Sequence, residues 1–286
     1  MCYIVSNDVK KLISAGVQKM KELTIAFIGA GKMATAIAAG LAKNTTGLKV
    51  RAYDVSPAAA ESFTAATGFT CCSSMAETLA GAEIVLLAVK PQYAAEALKE
   101  ASSHLTGKLL ISIVAGWKIL TLQEHAELDR VIRVMPNTPA LAGEGMSCYA
   151  PADAVSADDQ AVAETILSAV GKVRLVAEKQ LDAVTGLSGS GPAYVMEFIM
   201  GLADGGVFCG LPRDAALELA IQTVLGTAAM CRETPAKIAE LRDAVISPAG
   251  TTACGIMELQ NGAFKATAAK AVIAAAKRSE ELGKNK

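Results

Sequence analysis

The sequence predicts an α/β chain in two parts: a doubly wound parallel sheet, then a half that is helical throughout. Three observations predict it. From Leu23 to about Glu178, short β-branched runs alternate with Ala-rich stretches. Several of the runs are apolar without a break, Ile84-Val85-Leu86-Leu87-Ala88-Val89 above all, as strands are when helices cover both faces of a sheet. Past Glu178 the strand signal stops.

Taken in order, strands are expected over Thr24–Ile28, Lys49–Tyr53, Ile84–Ala88, Leu109–Val114, Val131–Val134 and Val173–Val176. Ala34–Lys43, Pro57–Ala66 and Tyr93–Ser102 read as helices between them. Further helices are expected over Leu181–Leu187, Pro192–Cys209, Arg213–Thr234 and Pro235–Ser247, with a last pair from Thr252 to Leu282. The domain reading is therefore a leader over 1–19, a dinucleotide-type sheet domain over 20–178 and an all-α domain over 179–286. The leader lacks an apolar core ahead of a small-residue cleavage site, which argues against a signal peptide. It reads as an appended segment before a start at Met20, or as a docked helix using Val9, Leu12, Ile13 and Val17.

Composition narrows the function classes. Of 286 residues 52% are apolar and 19% charged, which excludes a disordered chain. A net charge of −1 and 4% aromatics offer neither the basic field nor the stacking surface of a nucleic-acid binder. Ala193–Leu211 is long enough to span a bilayer but carries Glu197 and Asp204. An acid at mid-bilayer costs roughly 2.5–3.5 kcal/mol, so the segment reads as a buried helix and no membrane is expected. Cys2, Cys71, Cys72, Cys148, Cys209, Cys231 and Cys254 show no CxxC spacing, so neither a disulfide scaffold nor a metal site is expected, and a cytoplasmic location follows. The helices around Ala193–Val207 and Ala215–Cys231 are apolar on too many faces for one layer. A homodimer would bury the excess, the alternative being a compact monomeric bundle.

Ile28-Gly29-Ala30-Gly31-Lys32-Met33-Ala34 lies between the first strand and an Ala-rich helix, the context in which GxGxxA marks a dinucleotide site. Gly29 would make the turn, Gly31 would admit the pyrophosphate, and Ala34 would let helix and strand pack closely, with helix N–H groups facing the phosphates. This makes the sheet domain Rossmann-type. Asp54, about twenty residues past the turn, stands where an acid accepts the ribose 2′-OH, and no Arg follows in the loop. That points to NAD; Asp54 could instead cap the Pro57 helix or turn away when NADP binds. Ala88-Val89-Lys90-Pro91, Ala115-Gly116 and Met135-Pro136-Asn137-Thr138-Pro139 close three strands at the same carboxyl edge, where small residues and prolines suit a flat ring.

The chemistry is bounded by what is missing. His104 and His125 lie away from every motif, and the first helix after Pro192 offers no Lys as a general acid. A reductase without such a group needs a substrate that already carries its proton, and an imine qualifies. Ser247-Pro248-Ala249-Gly250-Thr251-Thr252 precedes a helix, so exposed N–H groups and three hydroxyls could hold a carboxylate; ordinary capping by Thr is the alternative.

These segments, with Thr185-Gly-Leu-Ser-Gly-Ser-Gly-Pro-Ala-Tyr194, Ala203-Asp-Gly-Gly-Val207 and Gly210-Leu-Pro212, resemble the pyrroline-5-carboxylate reductase family from about Leu23 to Leu282. The Ser-Gly-Ser-Gly-Pro-Ala-Tyr and Ser-Pro-Ala-Gly-Thr-Thr segments are its most specific marks. The resemblance implies reduction of 1-pyrroline-5-carboxylate to L-proline with NADPH or NADH. It assigns the pyrophosphate to Gly29–Ala34 and the cofactor channel to Ala88–Pro91 and the Ala115 region, and Asn137, read at the same sheet edge, is expected as a further cofactor contact. Ser247, Gly250, Thr251 and Thr252 would bind the substrate, Thr252 at the ring nitrogen, and Glu178 matches a position near the ligands. It also implies an interlocked homodimer, often assembled into decamers. Three departures stand out. Asp54-Val55 replaces the family's Ser or Asn with Arg, Met75 falls where an Asn commonly meets the ribose, and Ala249 replaces the second residue of Pro-Gly-Gly, which a backbone outside the left-handed region would tolerate. Competing readings are a reductase of a six-membered cyclic imino acid and a non-catalytic dinucleotide-binding protein.

Overall fold

The computed structural model describes residues 23–45 and 48–284, so the leader expected over 1–19 lies outside the described residues. Eight strands follow in chain order: β1 (Thr24–Ile28), β2 (Lys49–Tyr53), β3 (Thr70–Cys71), β4 (Ile84–Leu87), β5 (Leu109–Ser112), β6 (Val131–Met135), β7 (Gly145–Pro151) and β8 (Gly171–Leu175). They form one sheet ordered β3-β2-β1-β4-β5-β6-β7-β8. The uninterrupted apolar strands take its centre: every residue of β1, β4 and β5 is buried.

Between strands run α1 (Lys32–Asn44), α2 (Pro57–Thr67), α3 (Met75–Leu79), α4 (Ala94–Ala101), α5 (Ile119–Ala126) and α6 (Ala157–Ser168). Helix α1 buries Ala34, Ile37, Ala38 and Leu41, the i, i+3, i+4, i+7 stripe of a helix lying on a sheet. Helix α2 starts where Ser56 accepts the Ala59 N–H and Pro57 presets the first turn, and stops at Gly68 in the left-handed region.

The expected sheet gains two strands. β3 has only two residues, and β7 carries Gly145, Ser147, Ala150 and Pro151, a poor strand composition. β7 runs antiparallel to β6, the one departure from an all-parallel sheet, and pairs in parallel with β8. Tyr149 of β7 is fully buried and its hydroxyl donates to Glu164 of α6 at 2.7 Å; burial and the neighbouring carboxylate push the phenol far up. His125 sits on α5, the helix that connects β5 to β6, and both histidines are exposed.

The remaining elements are α7 (Leu181–Val184), a π turn over Thr185–Gly189, α8 (Gly191–Phe208), α9 (Arg213–Glu233), α10 (Ile238–Ala244), α11 (Thr251–Asn261) and α12 (Phe264–Lys284). Two corrections follow. The helix expected over Leu181–Leu187 changes pitch at Thr185, and that expected over Pro235–Ser247 is confined to α10. Contacts divide the chain into a sheet unit, reaching Gly189 and including Ala275 onward, and a helical unit, Ser190–Ala274.

Within the sheet unit one polar cluster joins elements far apart in sequence. Arg133, buried in β6, pairs with Glu178 at 3.2 Å and lies 4.0 Å from Asp182 on α7. Asp182 accepts the Ser279 hydroxyl of α12 at 2.6 Å, and Glu178 accepts the Ile119 N–H at the start of α5 at 2.7 Å. Replacing Arg133 with Met leaves Glu178 and Asp182 without their shared cation, so the variant is expected to lose roughly 3 kcal/mol, the low end for a broken buried pair because Glu178 keeps some solvent. Urea denaturation checks it; an unchanged midpoint would refute the cluster's structural role.

Candidate functional site

β1 runs straight into Gly29, whose φ of +98° suits only glycine. A Cβ there would lie 2.7 Å from the Ala88 carbonyl oxygen, because the turn packs directly on the exit of β4. Ala30 is buried under the turn. Gly31 is the N-cap of α1, makes no side-chain cap and has open space where a Cβ would be. The N–H groups of Lys32, Met33 and Ala34 open the helix without protein acceptors among the described residues. Ala34 is buried, Met33 half-buried and Lys32 exposed.

Asp54, one residue beyond β2, reaches across to this turn. Its Oδ2 accepts the Ala30 N–H at 2.8 Å and its Oδ1 the Ser56 N–H at 2.9 Å. The carboxylate therefore ties the glycine turn to the start of α2. The capping alternative is partly realised, since Asp54 holds the backbone of Ser56 while the Ser56 hydroxyl itself caps α2.

A cavity of about 560 Å³ opens at this edge. Ile28, Gly29, Gly31, Asp54, Ala88, Val89 and Lys90 all line it, together with Tyr53, Val55, Met75, Tyr93, Glu96 and Glu100. Seven residues named from sequence as cofactor contacts are thus brought to one place. Pro91 follows as the first residue of a 3₁₀ turn, Pro91–Tyr93, which ends the approach from β4. Ala115 is exposed beyond β5, ahead of Gly116 at φ +76°. Neither lines this cavity.

Asn137 does something sequence reasoning missed. Its amide nitrogen donates to the carbonyl and hydroxyl of Ser188 in the π turn, at 3.2 and 3.3 Å, and its Oδ1 accepts the Met146 N–H at 2.8 Å. The side chain is a bracket between the end of β6, β7 and the π turn. π segments commonly mark functional sites. Glu178, named as a substrate contact, has its Oε1 engaged by the Ile119 N–H and Arg133.

In the helical unit, α11 begins at Thr251 with Gly250 as N-cap and no side-chain cap. Thr251 and Thr252 are exposed in its first turn, and Ser247 accepts the Gly250 N–H at 3.0 Å through its carbonyl. A Cβ on Gly250 would fall on the Ser247 hydroxyl, which would have to turn aside, and would press on the Ser247 carbonyl oxygen at 3.1 Å. Ala249 corrects the sequence expectation: its φ is +56°, inside the left-handed region. Ala249→Gly is therefore expected to stabilise the protein by about 0.5–1 kcal/mol, relief of the Cβ clash outweighing the greater freedom of the unfolded chain. A thermal unfolding midpoint that falls would contradict it.

Among the described residues no cluster of His, Cys, Asp and Glu could hold a metal, and no helix is long and apolar enough to cross a membrane. Comparison with known proteins decides the family. A pyrroline-5-carboxylate reductase from Arabidopsis thaliana is 45% identical over 268 residues, covering 91% of this chain and 96% of the relative. The chain belongs to the pyrroline-5-carboxylate reductase family. The reductase's residues 178–282 match the family described as pyrroline-5-carboxylate reductase dimerisation, and residues 24–116 match NADP oxidoreductase, coenzyme F420-dependent. A solved Plasmodium falciparum pyrroline carboxylate reductase with NADP bound is 34% identical with a TM-score of 0.83, covering 92% of this reductase and 99% of that chain. A pyrroline-5-carboxylate reductase from Coxiella burnetii is 33% identical with a TM-score of 0.85, covering 90% and 97%.

Proposed function

We propose that this chain reduces 1-pyrroline-5-carboxylate to L-proline with NADPH or NADH. The observation that carries the reading is likeness to reductases of that name over nearly the whole chain, with the glycine turn and the Ser247–Thr252 loop both intact. When bound, the nicotinamide supplies the hydride. The sheet unit fits a dinucleotide on its own geometry: a turn packed on β4, three helix N–H groups without acceptors among the described residues, open space at Gly31, and a cavity beside them.

The roles follow from residue chemistry. Lys32, Met33 and Ala34 hold the pyrophosphate through their N–H groups, while Ala30 keeps its N–H on Asp54. Asp54 meets the adenosine ribose. Ala88 to Pro91 and Ala115 border the channel, and Asn137 acts by bracing the π turn. Gly250, Thr251 and Thr252 hold the substrate carboxylate at the helix start, with Ser247 shaping the loop. Thr252 Oγ1 accepts the N–H of the protonated ring. Hydride adds to the imine carbon, the C=N pair becomes the nitrogen lone pair, and the nitrogen keeps its proton. No general acid is then required, in accord with two exposed histidines. Glu178 acts as a strut through Arg133 and Ile119.

The helical unit works as a homodimer, itself the building block of any larger assembly such as a decamer. Phe208 (94% exposed), Met196, Leu219, Leu225 and Met257 leave on it an apolar surface that a second copy would cover. The unpaired described cysteines accord with the cytoplasm. The test is steady-state oxidation of NADH and NADPH by 1-pyrroline-5-carboxylate with proline identified as product. Absence of turnover with both refutes the reading. No observation favours the six-membered substrate or a non-catalytic role.

A further inference from the structure

We infer that this reductase takes NADH in preference to NADPH and that Asp54 sets the choice; the inference rests on the proposed activity and concerns which dinucleotide serves it. The charged side chains lining the cavity beside the glycine turn are Asp54, Glu96 and Glu100 against Lys90 alone. Three acids face one base, and neither Arg nor His joins them among the described residues that line it. Lys90 enters from the exit of β4, on the far side of β1 from Asp54. The loop after β2, Val55-Ser56-Pro57-Ala58-Ala59-Ala60, carries no cation that could meet a phosphate on the ribose.

Asp54 is also held in place. Rotating it away from an incoming anion would strand the buried Ala30 N–H and release the Ser56 N–H. Each carboxylate oxygen keeps a second lone pair, so the anchored group still accepts a ribose 2′-OH. A 2′-phosphate brings nearly two negative charges against a carboxylate held by two hydrogen bonds, while Glu96 and Glu100, on the helix that follows β4, add to the negative charge of the same cavity. The same hydrogen bonds that shape the glycine turn thus make the ribose end of the cavity selective.

The experiment compares kcat/KM for NADH and NADPH at saturating 1-pyrroline-5-carboxylate, and titrates NAD⁺ and NADP⁺ calorimetrically without substrate. The wild-type enzyme is expected to favour NADH by about tenfold or more. Asp54→Asn removes the charge, keeps one carbonyl acceptor for the Ala30 N–H while giving up the bond to Ser56, and raises the NADPH-to-NADH ratio about tenfold. Val55→Arg, at an exposed position that leaves the anchor intact, raises the ratio as well. A wild-type preference for NADPH, or a ratio unmoved in both variants, overturns the inference. Should neither cofactor support turnover, the proposed function falls, while the NAD⁺ to NADP⁺ affinity ratio still decides the inference.

Discussion

Gly29→Ala is expected to weaken NAD(P)H binding by at least about a hundredfold, a loss of roughly 3 kcal/mol. Two independent costs act at one atom. The φ of +98° strains any L side chain, and the new methyl would lie 2.7 Å from the Ala88 oxygen and 2.9 Å from its carbonyl carbon. Those neighbours are backbone of the β4 exit, which cannot swing aside as the end of a long side chain could. The turn must lift instead, and lifting it draws the Ala30 N–H off Asp54 and redirects the N–H groups at the start of α1. Quenching or calorimetric titration with NADH reads the loss directly. Circular dichroism is expected to stay native, since β1, β4 and α1 are otherwise unaltered. Wild-type affinity in Gly29→Ala would mean that the dinucleotide does not use this turn.

Thr252→Ala is expected to lower kcat by about a hundredfold while NADH affinity stays within about twofold, the size of effect usual for removing one positioned proton-exchanging partner. Thr252 stands exposed in the first turn of α11, where no side chain caps the helix. Loss of the acceptor for the ring N–H misplaces the imine and lowers the fraction that is protonated. Thr252→Ser, which keeps the oxygen, is expected to recover most of the rate. Equal damage to turnover and cofactor affinity would place Thr252 outside the reacting centre.

Much of the fold was legible because its signals are local. The continuous apolar runs of β1, β4 and β5 became the buried centre of the sheet, and the Gly29–Ala34 spacing placed a turn between strand and helix. Helix α6 announces itself through Ser156 and Asp159, a capping box ahead of the buried stripe Val162, Ala163, Ile166 and Leu167, a signal that periodicity alone passes over. β7 was hidden by its own composition, since Gly, Ser and Pro become strand only through pairing with β6 and β8. At the site, the spacing of Asp54 was readable but its grip on Ala30 was not, nor was the bracket from Asn137 to Ser188. The cluster of Arg133, Glu178, Asp182 and Ser279 includes a hydrogen bond between residues 97 positions apart, which one sequence cannot pair. Positive φ at Ala249 was invisible because Ala seldom adopts it.

The central claim is that a nicotinamide hydride goes to the imine carbon of the bound ring. Reduction of 1-pyrroline-5-carboxylate with NADH deuterated at the transferable position of its nicotinamide, followed by NMR of the isolated proline, tests it most directly. A single deuterium is expected on the ring carbon next to nitrogen that does not bear the carboxylate, and none on the carboxylate-bearing carbon. Proline formed without deuterium at that carbon, or deuterium at the carboxylate-bearing one, would contradict it.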